Sequence, residues 1–258
     1  MEWSEAIQKG GTHFSWITSL TLVMTGIFTT LKIMAQKWKL MNSPAEDYHM
    51  HSFTYSDGLH TIDEIVQMAP KFWLKKIIIT DHSQATLDVQ GLALKCWRST
   101  LKHWKNYYND LEVAFGVEGD LLDEEGSCCF EIHHQASDFC ILSAHHSVFQ
   151  GELQNITQAY SRAIEKYHDQ IDLIGHPFLT KTCEFLEVEE FVACLNRYNI
   201  PLEIDTAYLR NNKTDLQKLR AALELLETGV YVNSDMHTFA DWESRKLWFD
   251  LLEERGFL

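Results

Sequence analysis

The sequence predicts an α/β protein, a distorted (β/α)7 barrel carrying an extra N-terminal helix. Two patterns lead there. After residue 45, short apolar runs alternate with longer segments of helical period, which is the pattern of βα units around a parallel sheet. The residues that end those runs are almost all imidazoles or carboxylates, and a β/α barrel collects its strand ends on one face. Length agrees, since 258 residues suit one α/β barrel with a full core.

In chain order, the first segment is separate from this alternation. Residues 14–31 contain no charge, close to the length of a membrane span, but seven of the eighteen are Ser or Thr. Ile17, Leu20, Met24, Ile27, Leu31, Met34 and Trp38 recur at three- and four-residue steps, so we read an amphipathic helix in preference to a membrane anchor or a signal peptide. The domain organisation that follows is a helical extension over 1–44 and a catalytic barrel over 45–258. Strands are expected at Asp47–His51, Ile77–His82, Val113–Glu118, Phe139–His145, Ile171–His176, Pro201–Asp205 and Val230–Asp235. Helices are expected over 61–68, 152–168, 187–198, 214–227 and 241–254, with Thr61 and Glu64, Thr214 and Gln217, and Asp241 marking helix starts.

Composition narrows the function. A net charge of −15 disfavours a chain whose main task is to grip a nucleic-acid backbone, and fits a small substrate better. Cations bound among the acidic residues would offset that charge locally. The six cysteines show no CxxC spacing, which suggests reduced cytosolic thiols and a cytoplasmic protein, the alternative being an anchor through residues 14–31. Cys140, inside an apolar run, reads as a core residue.

The strand ends carry the chemistry. His49 with His51, His82, Glu118, His145, His176, and Asp235 with His237 all sit at or just past the end of an apolar run. Singly, such a His is more often structural and such an Asp a helix cap. Together they indicate a polynuclear metal site. His49 and His51, two apart on a strand, project from one face and can share an ion, and Asp235 and His237 repeat the arrangement. Imidazole and carboxylate ligands without cysteine suit catalytic Zn, Mn or Fe.

In their order, DYHMHSFTYSDG, IIITDHS, FGVEGD, DFCILSAHHS, DLIGHPF, PLEIDTAYLR and YVNSDMH make residues 46–240 resemble the PHP superfamily, the polymerase and histidinol phosphatase domains. The resemblance implies two to three divalent transition-metal ions. A first would take His49, His51, Glu118 and Asp235. Glu118 would bridge to a second held by His145 and His176, and a third would take Asp57, His82 and His237. Spacing from Asp138 favours His145 over its neighbour His146. The resemblance also singles out Arg210 as a contact for substrate phosphate, against the alternative of an exposed loop arginine. Asp120 reads as solvated in preference to orienting a ligand.

The implied activity is hydrolysis of a small phosphomonoester by metal-activated hydroxide, in the manner of histidinol phosphatases. Glu118, His82 and His237 are the residues closest to the chemistry. No P-loop and no GxSxG motif competes. The alternative is an exonuclease or nucleotide phosphatase of the same family, which would show a basic or aromatic groove at the site. Trp73, Trp97, Trp104, Tyr107 and Tyr108 are the candidate stacking residues, although their spacing reads as core. A non-enzymatic domain is disfavoured by the full ligand set, and neither a nucleic-acid nor a membrane partner is favoured.

Overall fold

The computed structural model describes residues 39–92 and 97–254. The expected helix over 14–31 and Cys96 lie outside them. The elements are β1 (Lys39–Leu40), β2 (Glu46–Asp47), α1 (Ile62–Met68), β3 (Lys76–His82), α2 (Gln84–Gln90), α3 (Trp97–His103), β4 (Glu112–Leu121), β5 (Cys128–Cys129), β6 (Glu131–Ile132), β7 (Gln135–Ala136), β8 (Cys140–Ser143), α4 (Ile156–Tyr167), β9 (Leu173–Ile174), α5 (Val188–Tyr198), β10 (Leu202–Asp205), α6 (Thr206–Arg210), α7 (Leu216–Leu225), β11 (Gly229–Asn233) and α8 (Phe239–Glu254).

Hydrogen bonding runs in the order β1-β11-β10-β9-β8-β4-β3-β2, with β5 antiparallel on β4. The long strands are parallel and follow one another around the sheet, as they do in a barrel. Its two edges, β1 and β2, are a few residues apart in the chain, so the sheet curls until they meet. Beyond β2 the backbone amide of His51 donates to Met236 O at 2.9 Å and that of Met236 to His49 O at 3.3 Å, joining the first strand to the last. The seam is completed by a side chain. Buried Asn42 donates through Nδ2 to Val232 O and accepts through Oδ1 from Val232 N, both at 2.9 Å, so its amide stands in for a strand peptide.

Helices fill the outside because their apolar residues fall on one face. In α4, Ile156, Ala159, Tyr160, Ala163 and Ile164 are buried, and this face joins those of α5 and α7 in one core over β8 to β11. A second core lies under α1 to α3. Thr61 and Glu64 form the expected reciprocal cap of α1. Two other starts differ from expectation. Asp215, not Thr214, caps α7 by accepting from Gln217 N and Lys218 N, and α8 begins at Phe239, which places Asp241 in its first turn.

All seven expected strands form, several of them shorter than their apolar runs. Cys140 is 5 % exposed, in keeping with a core residue, and the described cysteines are free thiols. Among the described residues no helix is long and apolar enough to cross a membrane.

Candidate metal centre

Parallel register carries the predicted residues to one end of the barrel. His82, the last residue of β3, pairs with Glu118 of β4. Side-chain alternation then turns Glu118 and Asp120 to the same face. The chain from β2 brings in His49 and His51, and the chain after β11 brings in Asp235 and His237. Two of these residues sit in left-handed backbone, His176 at φ 25° and Asp235 at φ 47°, a conformation that non-glycine residues rarely hold without compensation from their surroundings.

The nine expected ligand residues come together in four overlapping groups, one of which also includes Glu203, and each of the three expected sites can be traced among them. In the first, His49 Nε2 is 3.4 Å and His51 Nε2 3.0 Å from Asp235 Oδ1, and the same two nitrogens lie 3.5 and 3.4 Å from the carboxylate of Glu118. In the second, Glu118 Oε1 is 2.8 Å from His176 Nε2 and 3.2 Å from His145 Nε2. In the third, Asp57 Oδ1 is 3.4 Å from His82 Nε2 and 3.3 Å from His237 Nε2. Glu118, wholly buried, belongs to the first two and also faces His82 Nδ1 at 2.8 Å. His145 points inward, whereas His146 is exposed.

These residues suit divalent cations on two grounds. Glu118 Oε2 and His82 Nδ1 are buried 2.8 Å apart with no aligned hydrogen-bond partner, so coordination by a cation could replace the contact between them. In addition, several imidazoles are held from behind, leaving the opposite nitrogen free toward the centre. His49 Nδ1 donates to Glu203 Oε1 at 2.8 Å, His145 Nδ1 to Asp120 Oδ1 at 2.6 Å, and His237 Nδ1 to the carbonyl of Asp235 at 3.0 Å. Such outer partners fix the tautomer and orientation of metal-binding histidines.

The charges interlock. Burial works to raise the pKa of Glu118, but His145, His49 and His82 outweigh it and hold the carboxyl well below its usual range. Burial likewise pulls His82 down, yet Glu118 and Asp57 push it up to about 9. His237, opposed by its own burial, is raised to about 10 by Asp235 and Asp57. His51 goes the other way, to about 3, because burial is reinforced by the charges of His82 and His237.

Above the clusters is a cavity of about 150 Å³. Seven of the predicted residues line it, Asp57, His82, Glu118, His145, His176, Asp235 and His237, together with Thr86, Gln90, Ser147 and Tyr208.

Arg210 does not line it. Its guanidinium is bound to Asp241 at 2.6 Å and to Ala240 O and Ser244 Oγ at 2.8 Å. Asp120 is not solvated as expected: it is fully buried and accepts from His145, Ser83 and Thr86. Its place two residues after Glu118 on a strand was the available signal. Glu203 and Tyr208 were not anticipated at all. Glu203 binds His49 and accepts from His176 N at 3.0 Å, and the Tyr208 ring packs edge-on to His176. Glu203 shares its strand face with Asp205, but nothing local separates it from an ordinary surface glutamate.

The PHP domain family matches residues 47–232, well over half of the chain. The chain belongs to the PHP domain family. A probable phosphatase of Thermoanaerobacter sp. (strain X514) is 26% identical over 202 residues, covering 76% of this chain and 80% of that protein. The DNA polymerase/3'-5' exonuclease PolX of Bacillus subtilis is 25% identical over 200 residues, which cover 74% of this chain but 34% of that protein, so the chain spans about a third of that relative. Among solved structures, histidinol phosphate phosphatase from Lactococcus lactis, complexed with zinc, L-histidinol and phosphate, aligns over 83% of this chain and 95% of that one, at 14% identity and a TM-score of 0.47.

Proposed function

We propose that the protein is a metal-dependent phosphatase that hydrolyses a small phosphomonoester, with two to three Zn, Mn or Fe ions held by His49, His51, Asp57, His82, Glu118, His145, His176, Asp235 and His237. The observation that carries this reading is the convergence of these nine side chains at one end of the barrel in overlapping imidazole and carboxylate groups, with the buried carboxylate of Glu118 facing five of the imidazoles. Bound divalent cations would supply an activated water and neutralise charge on the phosphoryl oxygens. The protein's own part is placement. Glu203 and Asp120 keep His49 and His145 in the tautomer that presents Nε2 inward. Tyr208 keeps its proton, because burial and the charges of Asp235 and Asp205 raise its pKa, so it offers the phosphoryl group a neutral donor. Asp57 and His237 are the more exposed members of the set, on the side where a leaving alkoxide meets water.

The size of the cavity supports a small substrate, and among the described residues no Lys or Arg lines it. The second reading, an exonuclease or nucleotide phosphatase, is supported by the likeness to PolX. Metal-reconstituted protein assayed against a panel of phosphomonoesters that includes histidinol phosphate, beside bis-p-nitrophenyl phosphate and single-stranded oligonucleotides, separates the two. Preferential turnover of a monoester is expected, and cleavage confined to the diester and the oligonucleotides would replace this reading with the second.

A further inference from the structure

The ion pair of Arg210 with Asp241 is placed to control the metal centre from outside it. Arg210 ends α6, and its guanidinium meets the first turn of α8, donating through Nη2 to Asp241 Oδ1 and through Nη1 to Ala240 O and Ser244 Oγ. Asp241 is only 5 % exposed. Its second oxygen, Oδ2, accepts the backbone amides of His237 at 3.1 Å and Thr238 at 2.8 Å. The carbonyl of His237 in turn accepts the amide of Leu59 at 2.9 Å, two residues beyond Asp57. One chain of hydrogen bonds, charge-assisted at Asp241 and ending in a backbone–backbone link, thus runs from Arg210 through Asp241 to His237 and on to the loop of Asp57, reaching two of the three members of the third cluster.

The same geometry leaves Arg210 little freedom to do anything else. A guanidinium already holding a buried carboxylate, a carbonyl and a hydroxyl must abandon them to meet a substrate, and a buried Asp241 without its counter-charge is costly. We propose that Arg210 is a positioning residue which, through Asp241, fixes the backbone of His237 and so sets the affinity of the Asp57, His82 and His237 cluster for a divalent cation, without contacting substrate phosphate. This inference rests on the reading of the nine residues as metal ligands.

The test is a calorimetric titration of Mn²⁺ into the metal-stripped full-length protein and its Arg210→Ala and Arg210→Lys variants, with denaturant unfolding of each and steady-state kinetics on the best phosphomonoester. Arg210→Ala should weaken the third Mn²⁺ by about 10- to 100-fold, the range for losing an outer partner of a ligand, while the first two bind as in the parent. Turnover at limiting Mn²⁺ should fall and return with excess Mn²⁺, with KM little changed. Arg210→Lys should recover part of the affinity, since an ammonium keeps the charge but not the fork. Three Mn²⁺ bound with parental affinity together with a raised KM would overturn the proposal in favour of a phosphate contact. Equal weakening of every Mn²⁺ in step with lost stability would overturn it in favour of a general structural role. The titration does not depend on the substrate: a parent protein that binds three Mn²⁺ but cleaves no monoester fails the phosphatase reading alone, and one that binds no Mn²⁺ fails both.

Discussion

Glu118 shows how much one residue can carry. It is buried among five imidazoles, those of His49, His51, His82, His145 and His176, and takes part in two of the three clusters. Glu118→Gln keeps the shape and removes the charge. It should empty the first two clusters of metal and lower turnover by several orders of magnitude, on the order of 10² or more from metal loss alone. Elemental analysis and single-substrate kinetics check this, and near-parental turnover would exclude a bridging role. A second consequence concerns protons. With His82 raised to about 9 and His237 to about 10, the metal-free protein holds protons on both at neutral pH, and coordination requires them to leave. Metal uptake at pH 7 should therefore release protons, and apparent affinity should rise with pH up to about 9 to 10. Titration heats that do not vary with the ionisation enthalpy of the buffer would contradict this. In the metal-free fold the same shifts contribute stability that is complete below the ordinary imidazole value of 6.5 and is lost as pH rises through about 9 to 10.

Among the elements, strand ends and turns decide the site. A Cβ on Gly58 would overlap the carbonyl oxygen of His51, so the loop that presents Asp57 can pass this close only with glycine there. Gly58→Ala should push the loop outward and lower metal content at the third cluster while leaving global unfolding nearly unchanged; metal analysis with a denaturation curve tests both. The seam makes a different demand. Asn42→Ala strips Val232 of two hydrogen bonds and should destabilise the barrel by roughly 1–3 kcal/mol in denaturant unfolding. Much of this scale was legible in the sequence. Parallel strands buried on both faces leave continuous apolar runs, so all seven could be read, and the titratable residues closing those runs marked the end of the barrel where they gather. The short α2, α3 and α6 lack the reciprocal Thr61 and Glu64 cap that marks α1, a helix no longer than α2 or α3. Arg210 was legible as an unusual residue but not in its role, because its partner Asp241 lies on another element and only the packing of α6 against α8 joins them. Asp120 reads from sequence as solvated, although its distance from Glu118 puts both on one strand face, where it is buried.

At the scale of the whole molecule, charge and aromatic residues are distributed against a long anionic substrate. The chain carries a net charge of −15. Of the five aromatics considered for base stacking, Trp97 is in the core and the indole of Trp104 donates to Asp63. Exposed Trp73, Tyr107 and Tyr108 precede β3 and β4 and therefore lie toward the N-terminal ends of the strands, away from the face that carries the clustered histidines. Turnover of a phosphomonoester should accordingly change little between about 50 and 200 mM salt, an interval over which a protein with many phosphate contacts loses roughly 10³-fold or more in affinity. The central claim is that turnover depends on metal held by the nine clustered side chains. It is tested most directly by measuring phosphomonoester hydrolysis against metal content per chain, in protein stripped by chelator and reloaded stepwise with Zn or Mn. The account predicts no turnover without metal and full turnover as two to three ions bind; a stripped protein that is fully active would contradict it.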